Sequence, residues 1–258
     1  HKRFVWSPIM FGKNKIAPVE HALDGTALSV NEVFYTIQGE GPHAGLPAVF
    51  VRLAGCNLRC HFCDTDFENG EELSVKEIVA RVERACPEKQ PSLLVLTGGE
   101  PMRQQIIPLL IALSNTGWLV QIETAGTVWP AAYKSVKLSE LIEDGDVELV
   151  CSPKTPKIHP NVERLCKHFK YIIKADDART SSSSGIPRAS TQILGAVSAI
   201  FFPIEEDLKQ IYVQPCFEYL DVEPDTLKNE SNMHACAQIA MKHGYRVSLQ
   251  LHRILNLP

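Results

Sequence analysis

The sequence predicts an α/β fold built on a mostly parallel sheet. Three observations carry that prediction. Short apolar runs of strand length recur along the chain, helix-period segments separate them, and polar or glycine-rich clusters close nearly every run. Strands that alternate with helices are joined by crossovers, and crossovers make neighbouring strands parallel. With 258 residues and 45% hydrophobic content the chain is long enough to bury a core of its own. Residues 1–27 read as an N-terminal extension and 28–258 as a single domain.

Residues 48–53 form the first buried strand, and a cysteine-rich loop follows at once. Ser74 and Glu77 have the spacing of a capping box, and Ile78, Val79 and Val82 give the following helix its apolar stripe, to an end near Cys86 and Pro87. Residues 92–96 are a second strand, closed by Thr97-Gly-Gly-Glu-Pro101. A helix is expected over 103–115, with Pro108 bending it or delaying its start. Further strands are expected at 119–123, 147–151 and 169–174. The stretch 176–192, with its run of four serines, reads as a surface insertion. The apolar residues 193–202 fit either a helix or a strand on the sheet edge. Strands at 211–214 and 246–250 complete the set and flank a helix over 226–243.

Ligands of parallel sheets bind at the carboxyl ends of the strands. The cysteine loop, Thr97 to Glu100, Glu123 to Gly126, Ser152 to Lys154, Gln214-Pro215 and His252 all fall at or just after a strand end. Six sequence-distant clusters are therefore expected on one rim, as a single active site requires. The sharpest of them is Cys56, Cys60 and Cys63, spaced C-x3-C-x2-C. A fully ligated iron–sulfur cubane takes four cysteines, so three leave one iron open to a further ligand. A zinc site or a redox thiol set is the alternative, although no second C-x2-C or H-x3-5-H pair follows downstream. The other five cysteines are scattered among apolar residues and read as small core side chains in a reducing compartment.

Composition narrows the class further. The formal net charge of −4 gives no electrostatic footprint for nucleic acid. No stretch approaches eighteen uninterrupted apolar residues, and the first thirty residues lack the apolar core of a signal peptide, so a cytoplasmic protein without a membrane partner is expected.

The cysteine loop and Thr97-Gly-Gly-Glu-Pro101 resemble those of the radical S-adenosylmethionine (SAM) superfamily. A more specific resemblance is to the 7-carboxy-7-deazaguanine synthase family. It rests on Asn31-Glu-Val-Phe-Tyr-Thr-Ile-Gln-Gly-Glu-Gly41, Phe50-Val-Arg52, Cys63-Asp-Thr65, Ile122-Glu-Thr124, Ser152-Pro-Lys154, Val213-Gln-Pro215 and Ser248-Leu-Gln-Leu-His252, with a closing Pro258, all in family order. The match spans residues 30–174 and 212–258.

The resemblance implies a reduced, partial TIM-like barrel of the radical SAM type. It implies one [4Fe-4S] cluster per chain on Cys56, Cys60 and Cys63, and SAM on its open iron. SAM would be held by His61, Phe62, Gly98, Gly99, Glu100, Ser152, Pro153, Lys154, Gln214 and Pro215. Glu100 would either orient the strand end or accept from the SAM amino group. Thr65 would ligate Mg²⁺, an ion that keeps most of its shell as water and substrate oxygen. The implied reaction is a radical ring contraction of 6-carboxy-5,6,7,8-tetrahydropterin to 7-carboxy-7-deazaguanine with release of ammonia. On the substrate side the resemblance implies Ile37, Gln38, Gly39, Glu40, Arg52, Thr97, Glu123, His252 and Pro258. Arg52 offers a planar fork for a carboxylate, and Glu40 or Glu123 an acceptor for the pterin N–H edge. A homodimer and a flavodoxin- or ferredoxin-like electron donor are the implied partners. Two rival readings are a radical SAM activase acting on a glycine of a partner protein and a non-catalytic zinc or thiol binding module.

Overall fold

The computed structural model describes residues 14–20, 24–60, 62–63, 65–86, 93–178, 200–203, 209–220 and 223–258. In chain order the elements are β1 (Ala27–Ile37), β2 (Pro47–Leu53), β3 (Glu71–Ser74), α1 (Val75–Ala85), β4 (Leu93–Gly98), α2 (Ile107–Ser114), β5 (Leu119–Thr124), α3 (Leu138–Glu143), β6 (Val147–Cys151), α4 (Pro160–Leu165), β7 (His168–Ile173), α5 (Ala175–Ala178), β8 (Gln210–Pro215), β9 (Tyr219–Leu220), β10 (Glu223–Pro224), α6 (Thr226–His243), β11 (Arg246–Val247) and α7 (Leu251–Ile254). Among the described residues, nine strands make one sheet in the order β11-β8-β7-β6-β5-β4-β2-β1-β3. From β2 to β11 every pairing is parallel, while β1 runs antiparallel to both β2 and β3. The expected α/β class holds, as a partial barrel with an antiparallel margin.

The strands sort their side chains by the period of two. Val49, Val51 and Leu53 of β2, Leu94 and Leu96 of β4, Val120 and Ile122 of β5, and Phe169 and Tyr171 of β7 enter the main core. There they meet Ile78 and Val82 of α1, Leu109, Leu110 and Leu113 of α2, Val162 of α4 and Cys236 of α6. The alternate residues Phe50, Arg52, Thr97, Glu123, Val150, Lys170 and Gln214 line a cavity on the other face. A slip of one residue in any strand would exchange the two sets. Each buried Val, Leu or Ile contributes about 1.5–3 kcal/mol, so the register that points polar groups into the cavity is fixed by the apolar face behind it.

Several boundaries differ from the sequence expectation for local reasons. The helix expected over 103–115 is split into a 3-10 turn, Pro101–Arg103, and α2, which starts at Ile107 with Pro108 in its first turn. Between them Gln104 Nε2 donates to Ser29 O (3.1 Å) and Ala54 O (3.2 Å), and Gln105 Nε2 donates to Ala131 O (3.0 Å). These long-range bonds hold the chain off the helical path. The strand expected to reach residue 250 ends at Val247, because Ser248 and Gln250 turn their side chains to the cavity wall. The capping box at Ser74 and Glu77 is formed, and α6 has the expected bounds, capped by Asp225 and closed by Gly244 at φ 73°. Most of the serine-rich insertion and residues 193–199 lie outside the described residues. Residues 200–203 are neither helix nor strand; Phe201 and Phe202 pack on Phe169 and Tyr171 at ring separations of 5.9 and 5.7 Å. No helix among the described residues is long and apolar enough to cross a membrane.

Candidate active site

The first wall of the cavity is one hydrogen-bonded unit made from two strand ends. β2 ends at Leu53 and leads through Gly55 to the cysteines; its parallel neighbour β4 ends at Gly98. Gly99 N–H donates to Leu53 O at 3.1 Å, and Glu100 N–H to Gly55 O at 3.0 Å. The fit leaves no room for side chains. A Cβ on Gly99 would lie 1.9 Å from Gly55 O, and one on Gly98, at φ +126°, would lie 2.1 Å from Leu53 O.

Cys56, Cys60 and Cys63 line the cavity beside this turn, and all eight cysteines are free thiols. Burial pushes the Cys56 thiol up to about 12, against the Leu58 N–H that donates to its sulfur at 3.4 Å. Burial also raises Cys60, with Lys154 pulling the other way. Three cysteines lining one cavity, next to two glycines that expose backbone, are the residue set of a three-cysteine cubane, since a bound metal removes thiol protons outright. Lys154 Nζ donates to Ser152 O (2.7 Å) and Ser152 Oγ (2.5 Å) and lies 5.9 Å from the centre of the Phe62 ring. Burial draws its ammonium below the usual lysine range.

Glu100 is not among the lining residues of the cavity. It is 0% exposed and lies behind the wall. Its Oε1 accepts from Met102 N–H (3.1 Å) and Thr124 Oγ1 (2.8 Å), and its Oε2 from Ala125 N–H (2.8 Å). Burial lifts its carboxyl to about 6 in spite of these donors. Through Thr124 and Ala125, Glu100 ties the end of β4 to the end of β5.

The other half of the cavity is a connected polar network around Glu40. Glu40 Oε1 accepts from Gln214 Nε2 (3.0 Å) and Gln250 Nε2 (2.8 Å), while Oε2 is paired with the Lys170 ammonium. Burial alone would raise this carboxyl, but Lys170 and His252 outweigh it and hold it well below the usual carboxylate range. Gln38 Oε1 accepts from Glu40 N–H at 3.0 Å, and Gln38 Nε2 donates to Glu123 Oε1 at 3.0 Å. Arg52 lies 5.4 Å from the centre of the Phe34 ring, with Glu32 Oε1 3.2 Å from its Nε. Thr36 Oγ1 donates to Pro258 O at 2.9 Å. Below the network, Glu148 accepts from His43 (2.5 Å) and His168 (2.8 Å), which bring it down to about 2 against the effect of burial.

The cavity, of about 280 Å³, thus gathers the three cysteines, Phe62, Thr65, Gly98, Gly99, Ser152, Lys154, Gln214 and Pro215 with Gln38, Glu40, Arg52, Thr97, Glu123, His252 and Pro258. Ile37, Gly39 and Pro153 are not among its lining residues, and His61 lies outside the described residues. Gly39 has a packing role: a Cβ there would lie 2.3 Å from His252 Nδ1. The sequence reading passed over Lys170, Gln250 and the Phe34–Phe50 pair, which is stacked at 5.2 Å. Lys170 carried a usable signal, since a lysine inside an apolar strand is seldom buried without a partner. Asn14, in the segment that the sequence reading left without a role, donates to Thr65 O at 2.8 Å.

Comparison with known proteins agrees with this geometry. Residues 51–175 match the radical SAM superfamily. A 7-carboxy-7-deazaguanine synthase of Rhodospirillum rubrum is 39% identical over 249 residues, which span 96% of this chain and 100% of that protein. The corresponding protein of Rickettsia prowazekii is 33% identical, over 96% of each chain. The crystal structure of QueE from Escherichia coli has the same fold, with a TM-score of 0.58 at 20% identity over 87% of this chain and 94% of that one. On this identity and coverage, the chain belongs to the 7-carboxy-7-deazaguanine synthase family of radical SAM enzymes.

Proposed function

We propose that this chain converts 6-carboxy-5,6,7,8-tetrahydropterin to 7-carboxy-7-deazaguanine with release of ammonia, as a carbon–nitrogen lyase of the queuosine route. The observation that carries the reading is one cavity lined together by the cysteine loop, the Glu40 network and Arg52. When bound, the [4Fe-4S] cluster and SAM supply the radical that starts the ring contraction.

The protein's part is position and charge. Cys56, Cys60 and Cys63 hold the cluster and leave one iron for SAM. Gly98, Gly99, Phe62, Ser152, Lys154, Gln214 and Pro215 hold SAM, the family resemblance assigns His61 and Pro153 to the same ligand, and Glu100 fixes the glycine turn from behind. Arg52 takes the substrate carboxylate, stiffened by Phe34 and Glu32. Glu40, ionised by Lys170, and Glu123 accept from the N–H groups of the pterin edge. Gln38, Thr97, His252 and Pro258 complete that side, Ile37 through its backbone and Gly39 by admitting His252. Thr65 lends its oxygen to Mg²⁺, which favours oxygen donors and takes the rest of its shell from water and substrate. A homodimer, a flavodoxin- or ferredoxin-like electron donor and a reducing, cytoplasmic setting belong to the same reading.

The test is anaerobic. Reconstituted with iron and sulfide, reduced, and given SAM and the carboxypterin, the protein should yield 7-carboxy-7-deazaguanine by mass spectrometry. Cys60→Ala should abolish both the brown colour and the product. A well-loaded protein that cleaves SAM but leaves the pterin unchanged would refute the substrate assignment. Modification of a glycine in a partner protein instead would favour the activase.

A further inference from the structure

Residues 14–20 are laid along the cysteine loop. Ile16 forms a parallel bridge to Cys56, and Ala17 N–H donates to Cys56 O at 2.7 Å. Lys15 N–H donates to Glu68 Oε1 at 2.6 Å. Pro18 O accepts from Arg103 Nη1 (2.7 Å), Glu20 N–H donates to Arg103 O (2.7 Å), and the Glu20 carboxylate pairs with Arg103 at 3.0 Å. Arg103 reaches Ala54 O as well, at 3.3 Å, so one buried guanidinium secures both this segment and the start of the cysteine loop.

At the head of the segment stands Asn14, 2% exposed. Its Nδ2 carries two protons and has two acceptors, Thr65 O at 2.8 Å and Cys63 Sγ at 3.8 Å. The Thr65 bond orients the amide, and Cys63 Sγ lies within reach of the remaining proton. Each cysteine then has a group that can stabilise its thiolate: the Leu58 N–H for Cys56, the charge of Lys154 for Cys60, and Asn14 for Cys63, whose thiol itself donates to Thr65 O at 3.6 Å. Hydrogen bonds to ligand sulfurs and exclusion of solvent are two of the levers that set an iron–sulfur potential.

We propose that Asn14 is a positioning residue of the cluster site, whose N–H···S bond to Cys63 raises the cluster's reduction potential and makes it easier to reduce. The proposal rests on the reading that the three cysteines carry the cluster. The direction follows from charge. A donor on the thiolate draws negative charge from the cluster and so favours the reduced form, which carries one electron more.

The test uses the full chain, reconstituted without oxygen, with iron counted and the potential read by an EPR-monitored titration. Asn14→Leu keeps the bulk and the seal but removes the donor. At the wild-type midpoint it should lower the reduced-to-oxidised ratio about three- to tenfold, the worth of one such bond, and Asn14→Gln should restore most of the shift. An unchanged potential in fully loaded Asn14→Leu would overturn the proposal. So would a rise, which is the signature of water reaching the cluster through a loosened cover. If Asn14→Leu does not fold, the wild type suffices: with ¹⁵N in asparagine side-chain amides, pulsed EPR should show a coupling to the reduced cluster that Asn14→Gln lacks, and its absence would refute the bond. Failure of the wild type to take up a cluster would refute the cysteine assignment instead, and the iron count separates the two.

Discussion

Lys170 enters the cavity from the middle of β7, where it has the side opposite to Phe169 and Tyr171, and meets the carboxylate of Glu40. Both side chains are nearly buried, at 8% and 12% exposure. Loss of one member of such a pair leaves an uncompensated charge in a dry site, at a cost of about 3–5 kcal/mol. Lys170→Met should therefore unfold at markedly lower urea and weaken pterin binding, and Glu40→Gln added to it should recover much of the stability. Equal midpoints for Lys170→Met and wild type would dismiss the pair as a structural element. The sign with pH is set by the depressed carboxyl of Glu40. Its contribution is complete above the usual carboxylate range and is lost as pH falls through the lower folded value.

At the scale of elements, α6 secures the loop that follows β8, where Cys216 and Phe217 line the cavity. Two buried asparagines of the helix do this. Asn232 Nδ2 donates to Cys216 O (2.9 Å) and Glu218 Oε1 (3.0 Å), and its Oδ1 accepts from Ala175 N–H (2.8 Å). Asn229 Oδ1 accepts from Glu218 N–H (2.7 Å), and its Nδ2 donates to Glu218 O (3.0 Å). Asn232→Leu would strand three polar groups at once. A loss of about 2–4 kcal/mol in urea denaturation is expected, with faster amide exchange at 216–218; unaltered exchange there would show that the loop stands without the helix.

The elements differ in how well the sequence announced them. The parallel strands were legible because strands buried on both sides read as unbroken apolar runs. β1 was not. It alternates Phe34 and Thr36, which line the cavity, with Tyr35 at 39% exposure, and its residues read more readily as a motif than as a strand. β3, α3 and α4 have only four to six residues each, too short for a period to show. In the site, the rim groups were legible because strand ends carry ligands. Of the interior groups, Lys170 left a trace as a lysine within an apolar strand, whereas Gln250 left none, since only the tertiary register turns it inward.

For the whole molecule, the segment from Gln38 to His43 is held across the barrel by four strands. Gln38 is tied to Glu123 of β5, Glu40 to Lys170 of β7 and Gln214 of β8, and His43 to Glu148 of β6. Two of the carboxylates are depressed, Glu148 to about 2 by its paired histidines. Stability carried by Glu148 is thus full above about pH 4.5 and is lost as pH falls towards 2. Thermal melts from pH 6 to pH 3 should show wild type losing more than Glu148→Gln, the two curves converging at the acid end. Parallel curves would mean that the histidine clamp contributes nothing to acid stability.

Closure of the pocket joins distant parts of the polypeptide: Thr36 bonds to Pro258, and Glu40 to Gln250, across separations of 222 and 210 residues. Contacts of such span form late in folding. During synthesis the thiol loop is therefore complete while Glu123, Lys170, Gln214 and Gln250 of the facing network have still to be translated. Metal delivered at that stage reaches the thiols before Gln250 and Pro258 have joined Glu40 and Thr36.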